Sequence, residues 1–150
     1  VVRITATDIS AEALHLAMEN AVGHGVADVI AFRRGDLLAG VDGGAPGRPV
    51  DLVLANLPYV PTADLPTLPV AASFEPSLAL DGGADGLVLV RRLLAGLAPA
   101  IAADGRAFLE IGSDQVDGAR AAVVAALPGW TVRVHEDLGG APRVLDVAAG

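Results

Sequence analysis

Val50-Asp51-Leu52-Val53-Leu54-Ala55-Asn56-Leu57-Pro58-Tyr59 is the stretch from which the fold is read. Val50 to Ala55 is a nearly continuous apolar run, the pattern of a strand buried on both faces of a parallel sheet, and it stops at Asn56 and Pro58. Two upstream strands end the same way. Val2 to Ala6 runs into Thr7-Asp8-Ile9-Ser10, and Val29 to Phe32 runs into Gly35-Asp36-Leu37. Between them Ala13, Leu14, Ala17, Met18 and Ala21 recur at helical spacing, with Ser10 placed to cap the helix, Glu12 in its first turn and Gly23 just past its end. Strand and helix alternate, which predicts an α/β fold: a mostly parallel, doubly wound sheet with helices on both faces and right-handed crossovers. In such sheets a ligand sits beyond the carboxyl ends of the strands, where Asp8, Asp36 and Asn56 fall.

Downstream of Tyr59, Pro58, Pro61, Pro66 and Pro69 predict a long irregular loop from Val60 to Pro76. Asp85 to Ala103 carries a broad apolar stripe of a helix, Asp104-Gly105 closes it, and Ala107 to Ile111 reads as a buried strand. Gln115 to Leu127 is a helix of small residues. Trp130 to His135 and Arg143 to Ala148 are final strands able to pair through the Asp137 to Pro142 turn, and Gly40 to Pro49 is a Gly- and Pro-rich surface loop.

Composition narrows the function classes. The chain has 150 residues, 53% hydrophobic and 19% charged, which suits one compact domain spanning residues 1–150. A net charge of -8 disfavours extended binding to a phosphate backbone. There is no cysteine, and His15, His24 and His135 are far apart without ligand spacing, so no metal site is expected. No apolar run is long enough for a membrane helix and no signal segment opens the chain, which reads as a cytoplasmic protein. The start, Val1-Val2-Arg3-Ile4, lacks an initiator Met, as a piece of a longer protein would.

Three positions are suited to chemistry. Asp8 could accept from the two hydroxyls of a nucleoside ribose, or be an ordinary helix-capping aspartate; position alone does not separate these. Asp36 could accept from the exocyclic amine of adenine, with Leu37 as an apolar surface for the ring. Asn56-Leu57-Pro58-Tyr59 holds a side-chain amide and backbone carbonyls at a sheet edge. The Asn56 oxygen and the Leu57 carbonyl could take the two hydrogens of a substrate –NH2 while Tyr59 packs on its plane. The bland reading is a proline-terminated strand with an exposed Tyr.

Taken in order, these motifs resemble the S-adenosylmethionine-dependent class I methyltransferases, with their Rossmann-like fold. The run Glu75-Pro76-Ser77-Leu78-Ala79-Leu80-Asp81-Gly82-Gly83-Ala84-Asp85-Gly86-Leu87, then Arg91, Leu109-Glu110-Ile111-Gly112 and Gln115, narrows the resemblance to the protein-(glutamine-N5) methyltransferases of peptide-chain release factors, the HemK/PrmC family. The resemblance implies that Asp8, with Ile9, holds the ribose of S-adenosyl-L-methionine, and that Asp36 and Leu37 lie beside its adenine. It implies that Asn56 lies between cofactor and substrate, and that Asn56, Leu57, Pro58 and Tyr59 hold the glutamine side chain and carry the transfer. The implied partner is a protein, a release factor.

Two departures from the family pattern stand out. Leu57 replaces the usual Pro, giving an Asn-Leu-Pro-Tyr form also familiar from ribosomal-RNA adenine dimethyltransferases. An adenine-N6 methyltransferase of rRNA or DNA is therefore the alternative, opposed by the acidic charge and the Glu75 to Leu87 segment. The second departure is the Gly-rich loop that cradles the cofactor's methionine part. It should precede Asp8 by roughly 20 residues, yet only seven residues precede Asp8. The family's first strand, its helix and its helical substrate-recognition domain would be missing with it. The chain is then expected to be a partial catalytic domain, weak or inactive alone. The strands ending at Asp8 and Asn56 either close up and distort the cofactor site, or leave an open gap that makes the chain aggregation-prone. A non-catalytic remnant is a further reading. A nicotinamide-dependent dehydrogenase could also use Asp8, but gives no role to Asn56-Leu57-Pro58-Tyr59.

Overall fold

A computed structural model of the chain describes residues 2–41 and 47–150. The strands β1 (Ile4–Asp8), β2 (Ile30–Arg34), β3 (Val50–Ala55), β4 (Ile101–Glu110), β5 (Thr131–Glu136) and β6 (Pro142–Ala148) alternate with the helices α1 (Ala11–Gly23), α2 (Ser77–Leu80), α3 (Val88–Ala100) and α4 (Val116–Ala126). The α/β class is as the alternation predicts. Contacts divide the chain into two compact units, Val1–Val50 and Asp51–Gly150.

In the first unit β1 and β2 form a two-stranded parallel sheet with Asp8 opposite Arg34. Pairing carries β1 two residues beyond the β-branched run, so Thr7 and Asp8 lie in the strand. Ser10 caps α1 as expected, its side chain accepting from the Ala13 N–H at 3.1 Å. The helix ends later than the sequence suggests: Gly23 is its last residue, and the left-handed turn falls at Gly25, φ 68°. Leu14, Ala17 and Ala21 of the apolar stripe are buried or half-buried, while Ala13 and Met18 face outward. Within the expected Gly40 to Pro49 loop, residues 42–46 lie outside the described residues.

The second unit holds a four-stranded sheet in the order β3-β4-β6-β5. Strand direction is mixed across the chain: β1 and β2 are parallel, whereas β6 runs antiparallel to both β4 and β5. The expected closing hairpin is present, with a bulge at His135/Glu136. Val90, Leu94 and Leu97 of α3, Val123 of α4, Leu109, Leu145 and Val147 of the sheet, and Ile111 just after β4 are fully buried and form the core. A polar group is buried with them. Asp146, 3% exposed, accepts from Arg106 Nε at 3.1 Å and lies 3.3 Å from His135 Nε2. Burial pushes its pKa up, but the hydrogen bonds from Arg106 and His135 outweigh this and hold it below the usual value.

Three expectations need correction here. The Val60 to Pro76 segment is not irregular: it contains 3-10 turns at Thr62–Thr67 and Val70–Phe74 and leads into α2. Proline fits because the i+3 donors fall elsewhere, on Asp64, Leu68 and Ala72. The helix expected from Asp85 starts at Val88, since Gly86 adopts φ 73° and the Asp85 carboxylate takes the Leu87 N–H at 3.1 Å. It also ends at Ala100, one residue after Pro99, and β4 follows at once, six residues before the expected strand. β1 and β3 belong to different hydrogen-bonded sheets.

Candidate functional site

In the first unit, the parallel register brings the ends of β1 and β2 to one edge. Asp8 is exposed there. Its Oδ1 accepts the Ser10 N–H at 2.7 Å and its carbonyl accepts from Gly35 N at 3.0 Å. Oδ2 has no hydrogen-bond partner among the described residues, so Asp8 is at once a turn former and an acceptor with capacity to spare. Arg34 Nε donates to the Ile9 carbonyl at 3.1 Å and fixes the next peptide. Asp36 is exposed beyond β2, and its carbonyl accepts from Ala39 N at 3.0 Å.

Leu37 has φ 54°, the one non-glycine residue in the left-handed region among the described residues. Such a conformation costs a bulky residue about 1–2 kcal/mol. The Thr7 hydroxyl, 3.1 Å from the Leu37 carbonyl, donates to it and holds the peptide in place. Sequence reading placed Leu37 beside Asp36 but gave no sign of the strain, and it gave Thr7, the residue after the β-branched run, no role. Strained non-glycine backbone at a strand's carboxyl end is a recurrent mark of ligand sites.

In the second unit, Asn56 is exposed directly after β3 and its side chain has no hydrogen-bond partner among the described residues. The Leu57 carbonyl likewise accepts nothing among them. Leu57, Pro58 and Tyr59 are half-buried. The backbone beyond Asn56 is held closely. Val60 N donates to Leu80 O at 3.0 Å, Gly82 N to Val60 O at 2.8 Å, and Thr62 N to Gly83 O at 2.9 Å. The Thr62 hydroxyl and the Gly83 N–H both donate to Asp81 Oδ1, at 2.7 and 2.9 Å, and together hold that carboxyl below the usual range.

Glycine is required at two points of this assembly. A Cβ on Gly82 would stand 2.6 Å from the Gly86 carbonyl oxygen and 2.7 Å from that of Pro58. One on Gly86 would overlap the Tyr59 carbonyl oxygen and Gln115 Nε2. Gly82 and Gly86 are thus committed to the Pro58 to Tyr59 backbone. The sequence reading used them as part of the Glu75 to Leu87 run and gave them no packing role. The signal it had was the tight glycine spacing next to a Pro-rich segment.

Gln115, 8% exposed, completes the arrangement at the start of α4. Its Nε2 donates to Tyr59 O at 2.7 Å and to Asp85 O at 3.3 Å, while Oε1 accepts from Gly112 N at 2.8 Å. The amide orientation follows from the partners: two carbonyls need a donor and one N–H needs an acceptor. Asp85 is held in turn by Arg91, at 2.9 and 2.5 Å, which lowers its pKa to about 2. A cavity of about 280 Å³ opens beside this clamp, lined in part by Tyr59, Asp64, Leu68, Gln115 and Arg143.

Similarity to known proteins bears on this geometry. No protein-family model matches the chain. The release factor glutamine methyltransferase of Moorella thermoacetica is 49% identical over 113 residues, 75% of this chain and 38% of that protein. That of Deinococcus radiodurans is 40% identical over 140 residues, 93% of this chain and 47% of that protein. The ribosomal protein uL3 glutamine methyltransferase of Bordetella pertussis is 38% identical over 130 residues, 87% and 42% respectively. Over the residues it spans, the chain is similar to glutamine methyltransferases of both kinds. It covers less than half the length of these relatives. The fold agrees with that similarity: a ribosomal protein L11 methylase from Lactobacillus delbrueckii matches with a TM-score of 0.67 at 21% identity, over 98% of this chain and 57% of that one. A methyltransferase from Pyrococcus furiosus matches at 0.65 and 15%, over 97% and 61%. The chain therefore has the class I methyltransferase fold. No helix among its described residues is long and apolar enough to cross a membrane.

Proposed function

We propose that this chain forms part of an S-adenosylmethionine-dependent methyltransferase that acts on a glutamine side-chain amide of a protein, a peptide-chain release factor, in the cytoplasm. The Asn56 to Tyr59 segment carries the reading. It ends a strand with an open side-chain oxygen and an open Leu57 carbonyl, on a backbone that the Gly82 to Gly86 run and Gln115 hold still.

The residues of the first unit fit the nucleoside part of the cofactor. Asp8 keeps a free carboxylate oxygen at the carboxyl end of β1 for ribose hydroxyls, next to Ile9, and Asp36 with Leu37 offers an acceptor and an apolar surface for adenine. Bound S-adenosylmethionine supplies a sulfonium methyl already activated for transfer. An amide nitrogen is a poor nucleophile because its lone pair is delocalised, so alignment matters more than a strong base. Asn56 Oδ1 and Leu57 O accept the two N–H hydrogens and aim the nitrogen. Tyr59 packs on the amide plane. With the cofactor bound, Asn56 and Leu57 would hold the nitrogen as it takes the methyl group, and the amide proton it gives up would pass to solvent. Hydrogen bonds that shorten as the nitrogen gains positive charge favour the transition state over the bound amide.

The test is transfer of labelled methyl from S-adenosylmethionine to three acceptors: a release factor, ribosomal protein uL3, and an adenine-containing oligonucleotide. Label on a release-factor glutamine is expected. Label on uL3 alone would keep the chemistry and change the substrate, and label on adenine would overturn the glutamine assignment.

A further inference from the structure

We infer that Gln115 is a positioning residue for methyl transfer, whose side-chain amide sets the direction of the Tyr59 carbonyl and through it the Asn56 to Tyr59 acceptors. The inference rests on the reading that this segment holds the target amide. One buried amide spans three backbone segments: it donates to Tyr59 at 2.7 Å and to Asp85 at 3.3 Å, and accepts from Gly112 at 2.8 Å. Tyr59 is 56 residues away in sequence, so this bond fixes a loop that its own neighbours cannot. Gly86 packs against the same carbonyl and the same Nε2, with no room for a Cβ, so the three groups cannot shift independently. A carbonyl left without its donor would be a part-buried unpaired acceptor, and the peptide would turn to recover a partner. Two residues upstream lies the Leu57 carbonyl, one of the two proposed acceptors.

Glutamate is the discriminating substitution. In Gln115→Glu one oxygen can still accept from Gly112, but the other faces two carbonyl oxygens. Ionised, it repels them; protonated, its single O–H can donate to one of them, Tyr59 O being the nearer in the wild type. Burial and those carbonyls raise its pKa above the usual glutamate value. The charged groups around it are Asp85, paired with Arg91 of α3, Asp114 beside it in the chain, and Asp64 and Arg143, which line the same cavity. The protonated, competent form therefore gains as pH falls.

The experiment has two readouts in the full-length protein. A carbonyl-13C tyrosine, 15N valine sample reports the Tyr59-Val60 peptide, which contains this chain's single tyrosine. At pH 8 Gln115→Glu should displace that carbonyl signal and lower kcat on a glutamine substrate by about tenfold to a hundredfold, with the KM for S-adenosylmethionine unchanged. Lowering the pH should move both back towards wild type. Gln115→Met, similar in volume, should lose kcat without recovery at low pH, and it keeps the test informative should the buried carboxylate prevent folding. A Gln115→Glu enzyme with the wild-type kcat and pH profile, or an unmoved Tyr59 signal, overturns the inference. A displaced, acid-restored signal in a protein that methylates no glutamine supports the clamp and overturns the glutamine reading instead.

Discussion

At the scale of single residues, Asp8 makes the turn that one of its two readings requires and leaves an oxygen for the other. One carboxylate oxygen makes the turn into α1 by accepting from Ser10, and the other remains available. Asp8→Asn separates the two roles. It keeps an oxygen for Ser10 but gives up the charge offered to a ribose, so the chain should stay folded while S-adenosylhomocysteine binds about tenfold more weakly. Calorimetric titration decides it: unchanged affinity would leave Asp8 a turn former alone. Asn56 should behave differently, since its side chain supports no part of the fold among the described residues. Asn56→Ala is expected to lower kcat by about a hundredfold with little change in cofactor affinity or melting temperature. Equal losses in kcat and affinity would remove Asn56 from its proposed role. Asp8, Asp36 and Asn56 were legible because each is a polar residue ending an apolar strand. Thr7 and Gln115 were not, because their importance lies in a hydrogen bond to a carbonyl 30 or 56 residues away.

At the scale of elements, strand and helix cores were legible from periodicity, whereas ends were set by contacts that periodicity does not carry. α3 begins at Val88 because Gly86 turns left-handed and Asp85 takes the Leu87 N–H; β4 begins at Ile101 through its place in the sheet. The glycines make this testable. Gly25 and Gly86 have φ 68° and 73°, but a Cβ at Gly25 would meet nothing within 4 Å while one at Gly86 would overlap Tyr59 and Gln115. Gly25→Ala should cost about 1 kcal/mol for its backbone alone. Gly86→Ala should cost about 3 kcal/mol or more, because the buried clamp must also break. Denaturant midpoints of the two variants compare them directly, and equal losses would show that the packing around Gly86 yields. The Asp85–Arg91 pair next to it ties the same turn to pH. Asp85 is held at about 2 against an ordinary 3.8, so its contribution is complete above 3.8 and fades as pH falls towards 2. Melting temperature should drop across that window, and Asp85→Asn should flatten the drop.

At the scale of the whole molecule, burial is unevenly shared. Eight large side chains are fully buried, all within Asp51–Gly150, whereas in Val1–Val50 Ala21 is the one buried apolar residue among those described. Val2, Leu16 and Val22 of that unit are 73%, 58% and 66% exposed. Hydrophobic burial is the main force opposing chain entropy, so the first unit should open more readily, and hydrogen exchange in β1 and β2 should be faster than in β4 and β6. The sheet edges add a second consequence. β3 ends its sheet with Leu52 and Leu54 51% and 73% exposed, and β1 pairs with β2 alone. An apolar edge strand with unpaired backbone groups is a template for another chain. Sedimentation of the 150-residue chain should therefore show association that grows with concentration. Leu54→Lys places a charge on the edge without touching the core, and should shift the chain towards monomer at the same concentration. A Leu54→Lys chain that associates as strongly as wild type would place the contact elsewhere.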